Sequence, residues 1–224
     1  ISLILAIFVK INTSNMARTK NILLKGASGK IGDIVTFERN GTQVIREYVI
    51  PKDPKTHAQL AQRMKMKLAN KGLSPLKFII KQGHIGNSKA YRSSISKTMK
   101  DCIIGTYPNL TLEYSKVELA VGKLQLPENA LISFDNKTNT INLIWSSRLT
   151  FSDQPGRMND KVNIIYLNEK LLVANQVSNR PIRSDGKASL KLPDNWEIAD
   201  THIWIYLSSY DLLQNSNSLY FKEG

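Results

Sequence analysis

Few residues of this chain have types suited to chemistry, and their spacing argues against most of it. Gly26-Ala27-Ser28-Gly29-Lys30 resembles a phosphate cradle. A P-loop needs four residues between its glycines and a Ser or Thr after the lysine. Here two residues separate the glycines and Ile31 follows Lys30. A strand pattern rather than a helix comes next, so the stretch reads as a glycine-permitted turn. His57, His84 and His202 fall in three different elements, and no pair is spaced with a carboxylate or thiol for a metal. They read as surface or helix-start positions. Cys102 is the only cysteine, which excludes an intramolecular disulfide. It repeats at helical spacing with Tyr91, Ile95 and Met99 and reads as a small core hydrophobe. No serine sits in a nucleophile elbow. Paired carboxylates cannot be nominated before a fold places them. No cofactor is implied, and the chain reads as non-enzymatic.

Charge is the stronger signal. The net charge is +13. Residues 1–105 hold 19 Lys+Arg against 5 Asp+Glu, a net +14, while residues 106–224 are at −1. Such a half is either a surface for a polyanion, nucleic acid or acidic protein, or a solvated basic face that aids solubility. Lys30, Arg46, Arg63 and Lys67 are the candidate polyanion-binding residues. Arg63 and Lys67 stand at i, i+4, but Lys65 lies far round the helical wheel. The cations therefore flank the apolar stripe on both sides, which weakens a groove-reading helix. Neither zinc-finger spacing nor an aromatic pattern for single strands is legible.

The elements that must carry these residues begin with Ser28 to Gly72. Ile31 to Arg39 alternates as a strand, with β-branched and aromatic residues enriched. Asn40-Gly41 is a strong hairpin signal, because both residues tolerate the positive φ of a type I′ turn. Thr42 to Ile50 returns as the second strand, and Pro51 and Pro54 end it. Thr56 is a helix N-cap with Gln59 at capping-box spacing. Leu60, Met64 and Leu68 form the apolar stripe, and Gly72 is read as the helix stop. Ser74-Pro75 opens a short second helix, ended by Gly83 and Gly86, and Asn87 or Ser88 caps a third.

Several of these residues carry a specific resemblance. Ser28-Gly29-Lys30-Ile31-Gly32, Val35, Asn40-Gly41, Gln43, Ile45-Arg46, Pro51, Thr56, Gln59 and Gln62 resemble an uncharacterised Bacteroidota family, domain of unknown function 6266. The resemblance continues through Leu73-Ser74-Pro75, Gly105-Thr106-Tyr107-Pro108, Tyr114-Ser115-Lys116-Val117 and Asn217-Ser218 before Tyr220. It runs from about Met16 to the C-terminus. Asp33 departs from the family, which often has Asn there. The resemblance implies a small two-part protein with no assigned activity and no catalytic residues to carry over.

Beyond Gly105 and Pro108 the pattern becomes strand-like. Thr111–Val121 is one candidate strand, expected to pair with the N-terminal hairpin. Seven more follow: 131–134, 140–145, 162–167, 171–174, 188–192, 202–208 and 218–221, with turn signals between them. This spacing marks a β-sandwich. At the other end, Ile1–Val9 is too short to span a membrane and lacks the basic start of a signal peptide. Residues 1–15 read as upstream sequence ahead of a start at Met16, with the tail of a truncated export signal as the alternative.

The expected fold is α+β: an N-terminal β-hairpin plus helices, followed by an all-β immunoglobulin-like sandwich. The expected division is a non-native segment at 1–15, a basic hairpin-and-helix domain at 16–126 and a sandwich at 127–224. The expected function is a structural or interaction protein with a protein partner, by analogy phage- or mobile-element-associated. The alternative is a nucleic-acid-associated protein acting through the basic half. No integral membrane span is expected. The expected compartment is the cytoplasm or a virion, or outside the cell if residues 1–15 are an export signal.

Overall fold

The computed structural model describes residues 16–19, 26–50, 52–150 and 154–223. The upstream segment, or alternatively export signal, expected over residues 1–15 lies outside them. Contacts divide the chain into two compact units, Ile1–Pro54 and Lys55–Gly224. The sequence reading set its boundary near residue 126, where the periodicity changes. The contacts break instead at Pro54, because the helices share a core with strands far along the chain.

The first unit is a four-stranded antiparallel sheet of β1 (Met16–Thr19), β2 (Gly29–Ile31), β3 (Ile34–Arg39) and β4 (Thr42–Glu47), in the order β1-β4-β3-β2. The stretch read as one strand from Ile31 to Arg39 is two. Gly32, at φ 58°, turns the chain with Asp33, and Ile31 pairs with Ile34 across that turn. The Asn40-Gly41 turn forms as expected, with φ 51° and 72°, and Arg39 pairs with Thr42. Both central residues are left-handed, as the twist of a two-residue hairpin requires. One sheet face is closed over the Gly26-Ala27 loop by polar contacts. The Gln43 amide nitrogen donates to the Ala27 carbonyl at 2.7 Å and to the Thr36 hydroxyl, and its oxygen accepts from Gly26 N–H at 3.2 Å.

The second unit has three layers. Helices α1 (His57–Leu73), α2 (Lys77–Gly83) and α3 (Ala90–Asp101) form the first. The Thr56 capping box closes as expected: Thr56 Oγ1 accepts from Gln59 N–H at 3.4 Å, and Gln59 Oε1 accepts from Thr56 N–H at 3.1 Å. Gly72 does not stop α1, which runs on to Leu73 with Ser74 as its C-cap. Ser74 is thus not the N-cap of α2, which starts after Leu76. A short hairpin follows, β5 (Ile103–Thr106) with β6 (Asn109–Leu112). The expected long strand over Thr111–Val121 is absent: β6 pairs with β5, and Tyr114–Lys116 is a 3-10 turn.

The other two layers are the sheets of the sandwich. One has the order β11-β8-β7, with β7 (Glu128–Asp135), β8 (Thr140–Ser146) and β11 (Lys187–Lys191). The other has the order β10-β9-β12-β13, with β9 (Lys161–Asn168), β10 (Val173–Gln176), β12 (Thr201–Ser208) and β13 (Leu219–Phe221). All seven strands read from the sequence are present, and two antiparallel sheets of three and four strands make an immunoglobulin-like sandwich. Ile141, Leu143 and Trp145 face Val162, Ile164, Ile203, Ile205 and Leu207 in the core between the sheets. The opposite face of β9 and β12 is also covered. Ile165, Leu167, Trp204 and Tyr206 pack with Leu73, Leu76, Ile80 and Ile95 of the helical layer. Every residue of β12 is consequently buried.

Candidate polyanion-binding surface

Lys30 and Arg46 come together. Lys30 pairs with Val35 and Val35 with Arg46, so the three form one cross-strand row. Directly opposed residues in an antiparallel sheet share a face, and adjacent strands lie about 4.8 Å apart, which puts the two backbones about 10 Å from each other. Phe37, Arg39 and Val44 fall on the same face by strand alternation. Tyr48 joins them just past β4, with the Lys30 ammonium 3.7 Å from its ring centroid. The Arg46 guanidinium stands 6.0 Å from the Phe37 ring centroid. Glu38 and Glu47 alternate onto the other face. Lys30, Arg39 and Arg46 are exposed, and Tyr48 is 40% exposed. Within the paired strands the cations are thus separated from Glu38 and Glu47, while Asp33 stands in the turn opposite Tyr48, its carbonyl accepting from Tyr48 N–H at 2.7 Å. The sequence reading named Lys30 and Arg46 and missed Phe37 and Tyr48. Counting alternate positions across both turns would have found them, had the Gly32-Asp33 turn been seen.

Arg63 and Lys67 lie one turn apart and exposed on α1, in the second unit. Arg63 is engaged in an interaction of its own. The helical layer concentrates positive charge: residues 55–105 hold 11 Lys+Arg against Asp101 alone.

The other chemistry-bearing side chains are held in structural bonds. His202 was expected at the surface or a helix start, but it is 3% exposed, in the middle layer. Its Nε2 stands 3.0 Å from Glu169 Oε2, and its Nδ1 is 2.7 Å from the Tyr220 hydroxyl. Burial pushes the imidazole below its ordinary range and outweighs the upward pull of Glu169. The neutral ring therefore donates from Nε2 to Glu169 and accepts the Tyr220 hydroxyl proton at Nδ1. Burial likewise pushes the Tyr220 and Tyr114 phenols up to about 12, so both keep their protons. Cys102 is buried as expected, and its thiol donates to the Lys116 carbonyl at 3.3 Å. Burial raises its pKa, the direction of an inert thiol.

Among the described residues no three His, Cys, Asp or Glu side chains converge as a metal site, and no helix is long and apolar enough to cross a membrane. Residues behind the family resemblance are staples. Ser218 Oγ accepts from Leu119 N–H at 3.0 Å, and Asn217 Oδ1 accepts from Gly122 N–H at 3.2 Å. Tyr107 sets its ring edge-on to His57, with centroids 4.8 Å apart.

The model of a family of unknown function, DUF6266, matches residues 26–222. The chain belongs to the DUF6266 family. The match starts at residue 26, where the sequence reading had begun the resemblance at Met16. It covers all three helices and both sheets of the sandwich in this DUF6266 protein. No curated protein matches the chain. Among solved structures, the fn3 domain of human collagen alpha-1(XX) chain aligns at 12% identity and a TM-score of 0.33, over 45% of this chain and 83% of that one. The fn3 domain of human contactin 1 aligns at 16% identity and a TM-score of 0.25, over 51% of this chain and 94% of that one. The sandwich assignment rests on the strand order itself.

Proposed function

We propose that this DUF6266 protein is a non-enzymatic interaction protein that docks a protein partner through the loop after β12. One observation carries the reading: the loop is rigidly built yet offers apolar side chains to solvent. Ser209 N–H donates to the Gln214 carbonyl at 2.9 Å, and Gln214 N–H donates to Ser209 Oγ at 3.0 Å. Asp211 Oδ1 accepts from Leu213 N–H at 3.1 Å and from the Ser209 hydroxyl. Leu212 is held at φ 59°, a conformation that costs a leucine about 1–3 kcal/mol. This frame presents Tyr210, Leu212 and Leu213 at 63%, 47% and 68% exposure. Single exposed apolar residues are ordinary, but a cluster of them is a binding feature. A loop already ordered also loses little entropy on docking. Arg157 and Pro155 line a small cavity beside it with Tyr210 and Asp211. The test places a photocrosslinking residue at Leu213 in the host cell. A discrete adduct that Tyr210→Ser and Leu212→Ser abolish, with the fold intact, supports the reading. An adduct pattern indifferent to both substitutions refutes it. A virion or mobile-element setting is proposed with this role on analogy alone, and flanking capsid or tail genes test it.

A second reading is favoured by the cation-rich helical layer and the Lys30–Arg46 face: association with a polyanion. Its test is a salt titration of duplex DNA binding, in which log affinity falls by about 0.9 per neutralised phosphate for each unit of log salt.

A further inference from the structure

We infer that the Lys30–Arg46 face of the first unit is a platform for single-stranded nucleic acid, on which Tyr48 and Phe37 stack bases while Lys30, Arg39 and Arg46 hold phosphates. The inference rests on the polyanion reading and narrows it. Charge alone suits any polyanion, but this face adds two rings to its cations. Phe37 is half-buried and fixed by its strand, whereas Tyr48 lies beyond the last pairing and keeps 40% of its surface open. The acids of the paired strands, Glu38 and Glu47, are turned to the opposite face by strand alternation, which leaves Asp33, in the turn opposite Tyr48, as an acid beside the rings against three cations. A β-ribbon can read a duplex groove, but rings exposed on a sheet face favour unpaired bases over stacked pairs. The flat faces of splayed bases stack on aromatic rings without regard to sequence.

The contacts already present suit an exchange on binding. The Lys30 ammonium lies 3.7 Å from the Tyr48 centroid, in the place a stacked base takes. A base arriving there moves the flexible lysine aside onto a neighbouring phosphate. A cation–π contact is exchanged for stacking plus a charge-assisted hydrogen bond. Arg46, 6.0 Å from Phe37, sits at the outer limit of such a contact and is the freer of the two cations.

The test uses the full chain and fluorescence anisotropy with a labelled oligo(dT) of ~12 nucleotides, a length within single-strand site sizes. Tyr48→Leu should weaken binding about tenfold, the scale of one lost stack, and Tyr48→Phe should restore it. Lys30→Gln with Arg46→Gln should flatten the log–log salt slope by about 1.4, for two phosphates at 0.7 each. Circular dichroism of each variant checks that the sheet is kept, and Tyr48→Leu, outside the strands, is the variant least able to disturb it. Inorganic polyphosphate is the competitor. If it displaces the oligonucleotide and Tyr48→Leu changes nothing, the polyanion reading stands and the stacking platform is overturned. If neither oligo(dT), duplex DNA nor polyphosphate binds at low salt, both fall.

Discussion

Gly83 and Leu119 meet backbone to backbone. A Cβ on Gly83 would stand 2.9 Å from the Ala120 Cα and closer still to the Leu119 carbonyl oxygen. Val121 N–H also donates to the Gly83 carbonyl at 3.3 Å. The glycine that sequence reading took as a helix breaker is the last residue of α2 and the point where that helix docks on the chain. Gly→Ala in an exposed helix stabilises by up to about 1 kcal/mol. Here Gly83→Ala should instead cost about 1–3 kcal/mol, the scale of an overpacked site. Thermal unfolding should shift down by about 2–4 °C per kcal/mol for a unit of this size. An unchanged or raised midpoint would remove the docking argument.

Gly41 differs in kind. A Cβ there meets nothing within 4 Å, so only its φ of 72° opposes a side chain. Gly41→Val should cost about 1–3 kcal/mol of strain, all of it in the first unit. Hydrogen exchange should show Val44 losing protection while Met64 and Ile164 keep theirs, since both lie in the second unit. Loss at Met64 as well would join α1 to the hairpin, as the sequence reading had it.

Asp160 and Arg183 form a buried pair at 3.7 Å, with side chains 1% and 0% exposed. The Arg183 guanidinium also donates to the Gln125 carbonyl, and its backbone carbonyl accepts from Trp145 Nε1–H at 2.9 Å. Asp160→Ala leaves a buried cation without its counter-charge and should cost about 3–5 kcal/mol. Asp160→Leu with Arg183→Met removes both charges and should cost less than Asp160→Ala. Denaturant unfolding of the two variants decides it, and the reverse ranking would contradict the account.

His202 sets a pH dependence. Its folded-state pKa lies below the unfolded value of about 6.5, because burial disfavours the imidazolium. Above that pH both states are neutral and the ring contributes no slope. As pH falls through 6.5 the unfolded chain takes up a proton the folded one refuses, so stability drops until the depressed pKa is reached. Tm measured from pH 7.5 to 5 should fall, and His202→Gln should flatten that fall. An NMR titration midpoint for His202 above about 6.5 would reverse the sign.

Several features were legible because they are local. The Thr56–Gln59 box and the Asn40-Gly41 turn depend on residues within one turn of each other, and both form as read. The three strands of the outer sheet were legible because that sheet faces solvent on one side, as the alternating burial of β8 shows. The family was legible in residues that staple distant segments, although the stapling was not. Features that depend on what packs where were settled only by the tertiary structure. β12 reads as a one-faced strand through Ile203, Ile205 and Leu207, yet His202, Trp204 and Tyr206 are equally buried because a helical layer covers their side. That cover makes His202 a core residue and places the break at Pro54. Lys30 and Arg46 are 16 positions apart in sequence. They share a row because two hairpins fold Val35 between them. Periodicity reports which face of an element is apolar, whereas the partner that covers that face is set by long-range packing.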